Sequence, residues 1–154
     1  MDADAAPPLT SLLRGVDMLR VLDDDVLVRL ADRVQVLDHE PGAVVLAEGE
    51  DGTGMHLLLD GTATVERDGV VLGVLGPGDH VGELALLDGQ PRLATVRAES
   101  DLRTGYLTSE DFLDILEGSP DVALELLVAL AGRFRAVEEQ LVALERRQRD
   151  VAGE

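Results

Sequence analysis

The sequence predicts a mainly β fold with flanking helices: an eight-stranded jelly-roll β-barrel with N-terminal helices and a long C-terminal helix. Two observations carry that prediction. Between residues 34 and 107, short apolar segments alternate with glycine-bearing turns every few residues, the punctuation of antiparallel strands. On either side the apolar period changes to three and four, the spacing of helices that bury one face.

Residues 1–9, acidic and rich in Ala and Pro, are expected to form a flexible lead. Residues 10–118 are expected to form the roll with its helical flanks, and residues 119–150 the long helix. Within 9–19 a short helix is interrupted at Gly15. Asp23 is placed to cap a helix running to about Arg33, with Val26, Leu27 and Leu30 at core spacing. Strand segments follow at 34–37, 43–47, 55–59, 62–66 and 70–75, then at 93–98 and 102–107, a set of about eight. Asp68-Gly69 is the clearest hairpin turn. Thr108 with Asp111 resembles a capping box, Gly118 ends that helix, and Ser119 is expected to cap the next with Pro120 behind it. In the long helix Ala123, Leu127, Leu130, Phe134, Val137, Leu141 and Leu144 fall at alternating steps of four and three, a heptad seam. Its first half is expected to pack on the roll and its second half on an identical chain, giving a homodimer.

Composition narrows the function. The 154 residues carry a formal charge of −18, which argues against nucleic acid and against anionic membranes as partners. Aromatics are only 2 % of the chain, so Leu and Val must build the core. With no cysteine there are neither disulfides nor thiolate metal sites. The acidic start Met1-Asp2-Ala3-Asp4 is unlike a signal peptide, no run approaches a membrane span, and a cytoplasmic protein is expected. His39, His56 and His80 lack the His-x-His spacing of the metal-dependent cupins. No nucleophile or base arrangement stands out, so neither catalysis nor a catalytic cofactor is expected.

One stretch remains, running from Gly82 through Glu83, Leu84, Ala85, Leu86, Leu87 and Asp88 to Pro91, Arg92, Leu93, Ala94, Thr95 and Val96. Its buried-looking apolar run is long enough for one helical turn, whose first N–H groups would seat an anion. Arg92 is a fork-shaped permanent cation suited to phosphate. Glu83 has the opposite chemistry, accepting from hydroxyls. Together they suit a ligand carrying both a hydroxyl and a phosphate, which describes a nucleotide.

The stretch resembles the phosphate-binding cassette of the cyclic-nucleotide-binding domain family, which includes regulatory subunits of cyclic-AMP-dependent kinase, catabolite activator proteins and cyclic-nucleotide-gated channels. The family pattern is Phe-Gly-Glu-Leu-Ala-Leu-Leu, a spacer, then Pro-Arg-x-Ala-Thr/Ser-Val; here Val81 replaces the aromatic. The resemblance implies that Glu83 accepts from the ribose 2′-hydroxyl and that Arg92 pairs with the cyclic phosphate. It also implies that Gly82 lets the backbone approach the sugar, with Leu84, Ala85, Leu93 and Ala94 around the phosphate. In cyclic-GMP-selective kinases of the family a Thr follows the motif Arg. Leu93 stands there instead, so cyclic AMP is expected over cyclic GMP. Arg133, Phe134, Val137 and Glu138 lie where the family covers the base, and Arg133, Val137 and Glu138 are the candidate caps. The activators carry a DNA reader after the long helix, whereas this sequence stops at Glu154. The expectation is therefore a stand-alone regulatory module that moves its helices on binding and signals to an unidentified effector protein. The alternative is an interaction scaffold of the same fold that ignores the ligand.

Overall fold

Eight strands make two antiparallel sheets of four in the computed structural model, which describes residues 8–153. Most of the lead expected over residues 1–9 lies outside the described residues. The strands are β1 (Gln35–His39), β2 (Val44–Leu46), β3 (Gly54–Asp60), β4 (Ala63–Arg67), β5 (Val70–Leu75), β6 (His80–Val81), β7 (Thr95–Ala98) and β8 (Leu102–Thr108). One sheet runs β1-β8-β3-β6 and the other β2-β7-β4-β5, so the chain passes repeatedly from sheet to sheet. The eight strands and flanking helices expected from the sequence are present, with the strands arranged as two antiparallel sheets of four. Helices α1 (Leu9–Arg14) and α2 (Asp24–Arg33), joined through a 3-10 turn at Asp17–Leu19, precede it. Helix α3 (Glu83–Asp88) interrupts it, and α4 (Ser109–Gly118) and α5 (Pro120–Ala152) follow.

The central strand β3 explains the layering. Successive side chains of a strand point to opposite faces, yet Met55, Leu57, Leu58 and Leu59 are all buried. Met55, Leu57 and Leu59 meet Leu13, Leu19, Leu27, Leu30, Phe112, Val122 and Leu126 in a core between sheet and helices. Leu58 points the other way, into a smaller core between the sheets with Leu46, Ala63, Val96, Ala98 and Leu102. Each such buried side chain contributes about 1.5–3 kcal/mol before entropy is counted.

Local chemistry matches several expectations and corrects others. Asp68 (φ 52°) and Gly69 (φ 77°) both adopt positive φ, as a two-residue hairpin turn between β4 and β5 requires. The Thr108 side chain accepts from the Asp111 N–H at 3.2 Å and starts α4. Ser119 and Asp23, by contrast, make no side-chain cap bond. They still occupy the N-cap positions, and their carbonyls accept the first helical N–H groups, from Val122 and Leu27 respectively. The eighth strand is the two-residue β6, pairing through His56 with Val81 and Leu57 with His80. The strand expected from residue 93 begins only at Thr95.

Helix α5 lies on the core through Val122 and Leu126, with Leu130 packed against them. The first half of α5 therefore packs on the roll as expected, but mainly through residues beside the seam: Leu127 is 63 % exposed, and seam and core face meet at Leu130. Beyond residue 130 every residue of α5 is exposed, including Phe134, Val137, Leu141 and Leu144 at 52–64 %. No helix among the described residues is long and apolar enough to cross a membrane.

Candidate functional site

The second sheet, α3 with the loop after it, and the middle of α5 enclose a cavity of about 460 Å³. Leu46, Val65, Leu72, Leu75 and Val96 give it apolar walls. Gly82, Glu83, Leu84, Ala85, Arg92, Leu93 and Ala94 all line it, so the structure brings the seven candidate ligand-binding residues to one place. The apolar run itself is less buried than its sequence suggests. Ala85 is buried, but Leu84 and Leu87 are exposed, as is Leu93, because a six-residue helix on the rim of a roll has only one face to bury.

Gly82 starts α3 at φ 98°, a left-handed conformation that costs a side-chain-bearing residue strain. A Cβ there would also lie 2.8 Å from Arg92 Nη1, so the position needs glycine on both counts. Arg92 is only 7 % exposed. Its Nη1 donates to the Gly82 carbonyl at 2.7 Å and its Nη2 to the Gly54 carbonyl at 2.5 Å. Its backbone is held on both sides: its N–H donates to Glu50 O, and its carbonyl accepts from the Gly49 N–H. Among the described residues no carboxylate lies within ion-pair distance of this guanidinium. Burial lowers its pKa against the pull of Tyr106, Glu50 and Glu83. A buried cation held only by carbonyl dipoles leaves its charge uncompensated, and an arriving anion would be strongly favoured.

Glu83 is the complementary feature, at 1 % exposure. Arg133 of α5 donates from Nη1 to Glu83 Oε1 at 2.5 Å and from Nη2 to the His80 carbonyl at 3.1 Å. Among the described residues Oε2, which is buried, has no hydrogen-bond partner, and neither has His80 Nδ1, which stands 3.3 Å from it. Burial opposes the Glu83 charge, but His80, Arg133 and its own backbone N–H outweigh it and hold the carboxyl below its usual value. A buried carboxylate oxygen with an empty acceptor position is costly, and a hydroxyl donor in the cavity would satisfy it.

The α5 lining consists of Arg133, Ala136, Val137 and Gln140, spaced i, i+3, i+4, i+7 along one helical face. Of the candidate caps, Arg133 is committed to Glu83 and Val137 faces the cavity. Glu138 does not line it; it borders a separate groove with Arg135, Glu139 and Arg146. Phe134 is likewise outside the lining. Sequence reasoning missed Gln140 and His80. Gln140 was legible as the residue two turns beyond Arg133. His80 gave no signal beyond standing three residues before Glu83.

A second polar cluster lies beside the site. Thr104 Oγ1 bridges His56 Nδ1 at 2.9 Å and His39 Nε2 at 3.0 Å. The Tyr106 ring sits 5.2 Å from the His56 ring, and its hydroxyl meets Thr53 Oγ1 at 3.0 Å. Tyr106 also covers Gly54, where an added Cβ would collide with the phenol at 2.5 Å. Desolvation, with His39 and Arg92 adding to it, pushes the His56 pKa down to about 4.

Three comparisons bear on this geometry. Residues 36–119 match the family described as the cyclic nucleotide-binding domain. The chain is similar to a cyclic nucleotide-gated potassium channel of Mesorhizobium japonicum, with 34 % identity over 73 % of this chain and 31 % of the channel. It resembles the cAMP-dependent protein kinase regulatory subunit of Schizosaccharomyces pombe equally, at 34 % identity over 73 % of this chain and 27 % of that protein. Among solved structures, the catabolite activator protein of Thermus thermophilus superposes with a TM-score of 0.75 at 27 % identity, covering 84 % of this chain and 63 % of that one. The chain thus spans about a third or less of the two curated relatives' length.

Proposed function

Since the chain belongs to the cyclic nucleotide-binding domain family, we propose that it is a regulatory module that binds cyclic AMP in the cavity between the roll and α5. The observation that carries the proposal is a pair of unmet demands in one cavity: a buried guanidinium without a carboxylate, and a buried carboxylate oxygen without a donor. A cyclic phosphate meets the first demand through Arg92, and the ribose 2′-hydroxyl meets the second through Glu83 Oε2. The base then lies along the apolar walls towards Val137 and Gln140. Leu93, without a hydroxyl, offers guanine nothing that adenine lacks.

Arg133 supplies the link to output. One carboxylate serves α5 through Oε1 and the ligand through Oε2, so occupancy and helix position bear on the same group. A ligand shifts such a helix only by its differential affinity for the two positions. The exposed row of Phe134, Val137, Leu141 and Leu144 supports a homodimer through α5, and an effector protein would read the change.

Calorimetric titration with cyclic AMP and cyclic GMP, on the natural chain and on Arg92→Ala, tests this reading. A cyclic AMP affinity of about micromolar or better, roughly −8 kcal/mol, is expected, weaker for cyclic GMP and lost in the variant. Absence of heat and of thermal stabilisation at millimolar ligand would sink it, and a ligand-independent scaffold of the same fold would take its place.

A further inference from the structure

Resting on that reading, we propose that Tyr106 is a positioning residue: by holding the Gly54 carbonyl, it aims the Arg92 guanidinium at the ligand's phosphate. The guanidinium spans two carbonyls, that of Gly82 at 2.7 Å and that of Gly54 at 2.5 Å. These two bonds fix the plane of the fork and the direction of the N–H groups left over for a phosphate. Each carbonyl belongs to a glycine, whose backbone turns more freely than that of any other residue. Gly82 opens α3. Gly54 forms the last pair of the β3–β8 ladder, opposite Thr108, so the ladder supports it from one side only.

Tyr106 supplies the missing support. An added Cβ on Gly54 would lie 2.5 Å from the phenol, so the tip of the ring occupies the place of the absent side chain. The hydroxyl is anchored at 3.0 Å to Oγ1 of Thr53, the residue before Gly54, and the Thr53 carbonyl accepts from the Ser109 N–H. The ring itself lies 5.2 Å from that of His56, whose Nδ1 is held by Thr104. Beyond burial, Tyr106 acts on the Arg92 charge more than Glu50 or Glu83 does, which places the phenol close to the guanidinium. Tyr106 does not line the cavity, so its effect on a ligand passes through Gly54 and Arg92.

The two phosphorothioate diastereomers of cyclic AMP test the aim. Each puts sulfur, a weak acceptor, in place of one exocyclic phosphate oxygen, and a guanidinium held in one orientation tells them apart. Calorimetry compares cyclic AMP and both diastereomers on the natural chain, Tyr106→Leu and Thr53→Val, with thermal melts confirming the fold. The natural chain should bind one diastereomer about tenfold more tightly than the other. In Tyr106→Leu that ratio should fall to about threefold or less, with cyclic AMP affinity lowered roughly three- to tenfold. Thr53→Val removes only the hydroxyl bond, at an exposed position, and should move the ratio the same way by a smaller factor. It keeps the experiment decisive if the leucine variant does not fold. General loosening of the fold weakens both diastereomers equally. An unchanged ratio in Tyr106→Leu (or in Thr53→Val, should the former not fold), or a natural chain that does not discriminate, therefore overturns the role of Tyr106 while leaving nucleotide binding intact. No binding of cyclic AMP to the natural chain overturns the binding reading itself.

Discussion

His56 and Arg92 are buried side chains whose charge the fold treats in opposite ways. Arg92 keeps its charge inside the roll on two carbonyls, whereas His56 is held neutral beside Thr104. The consequence for His56 follows from linkage. Its folded pKa of about 4 lies below the unfolded value of 6.5, so the unfolded chain binds the proton first. Stability is full above the unfolded value and falls as pH drops towards 4, by about 2–3 kcal/mol. Urea denaturation at about pH 7.5 and pH 4.5 should show this loss in the natural chain and a smaller one in His56→Gln. At this scale the sequence was informative about type and silent about partners. Glu83 and Arg92 stood in a long ordered motif, but nothing in it showed that Glu83 is shared with Arg133, 50 positions further on.

Elements were legible where local chemistry dominates. The Asp68-Gly69 hairpin and the Thr108 cap need only neighbouring residues. The two-residue β6 was not, because His80-Val81 is too short to show alternation and becomes a strand only by pairing with β3. Asp23 and Ser119 stand at the N-cap positions expected of them, but neither side chain makes the cap bond. Helix α3 rests on one glycine with two constraints, a positive φ and a guanidinium 2.8 Å from any Cβ. Gly82→Ala should therefore cost about 1–3 kcal/mol, read as a lowered melting temperature. Cyclic AMP affinity should fall with it, since Arg92 must shift. Unchanged melting and unchanged affinity would show that the turn relaxes freely.

At the scale of the molecule, the eight-stranded roll flanked by helices was legible, and the division of its strands between the two sheets was not. Eight short strands suit one barrel or two sheets equally, and the choice depends on pairing between distant segments. The first half of α5 packs on the roll as expected, but which of its residues do so was not legible for a related reason. A heptad seam and a core-facing stripe one residue apart are both apolar, and only the fold shows that Val122 and Leu126 were taken by the core. The seam is left on the surface, and a second copy of the chain is the partner proposed for it. Light scattering of the natural chain should give the dimer mass, and Leu141→Glu should give the monomer. Because Leu141 is 56 % exposed, the monomer should keep its fold by circular dichroism. A monomeric natural chain would remove the seam from the proposal without touching the cavity.

The chain has one tyrosine and no tryptophan, and that tyrosine is Tyr106, lying over the strand start whose Gly54 carbonyl accepts from Arg92. The chain's dominant near-ultraviolet emission therefore comes from a single ring beside the buried Arg92 guanidinium. Occupancy of the cavity should be readable optically in unlabelled protein, over only the faint emission of Phe112 and Phe134.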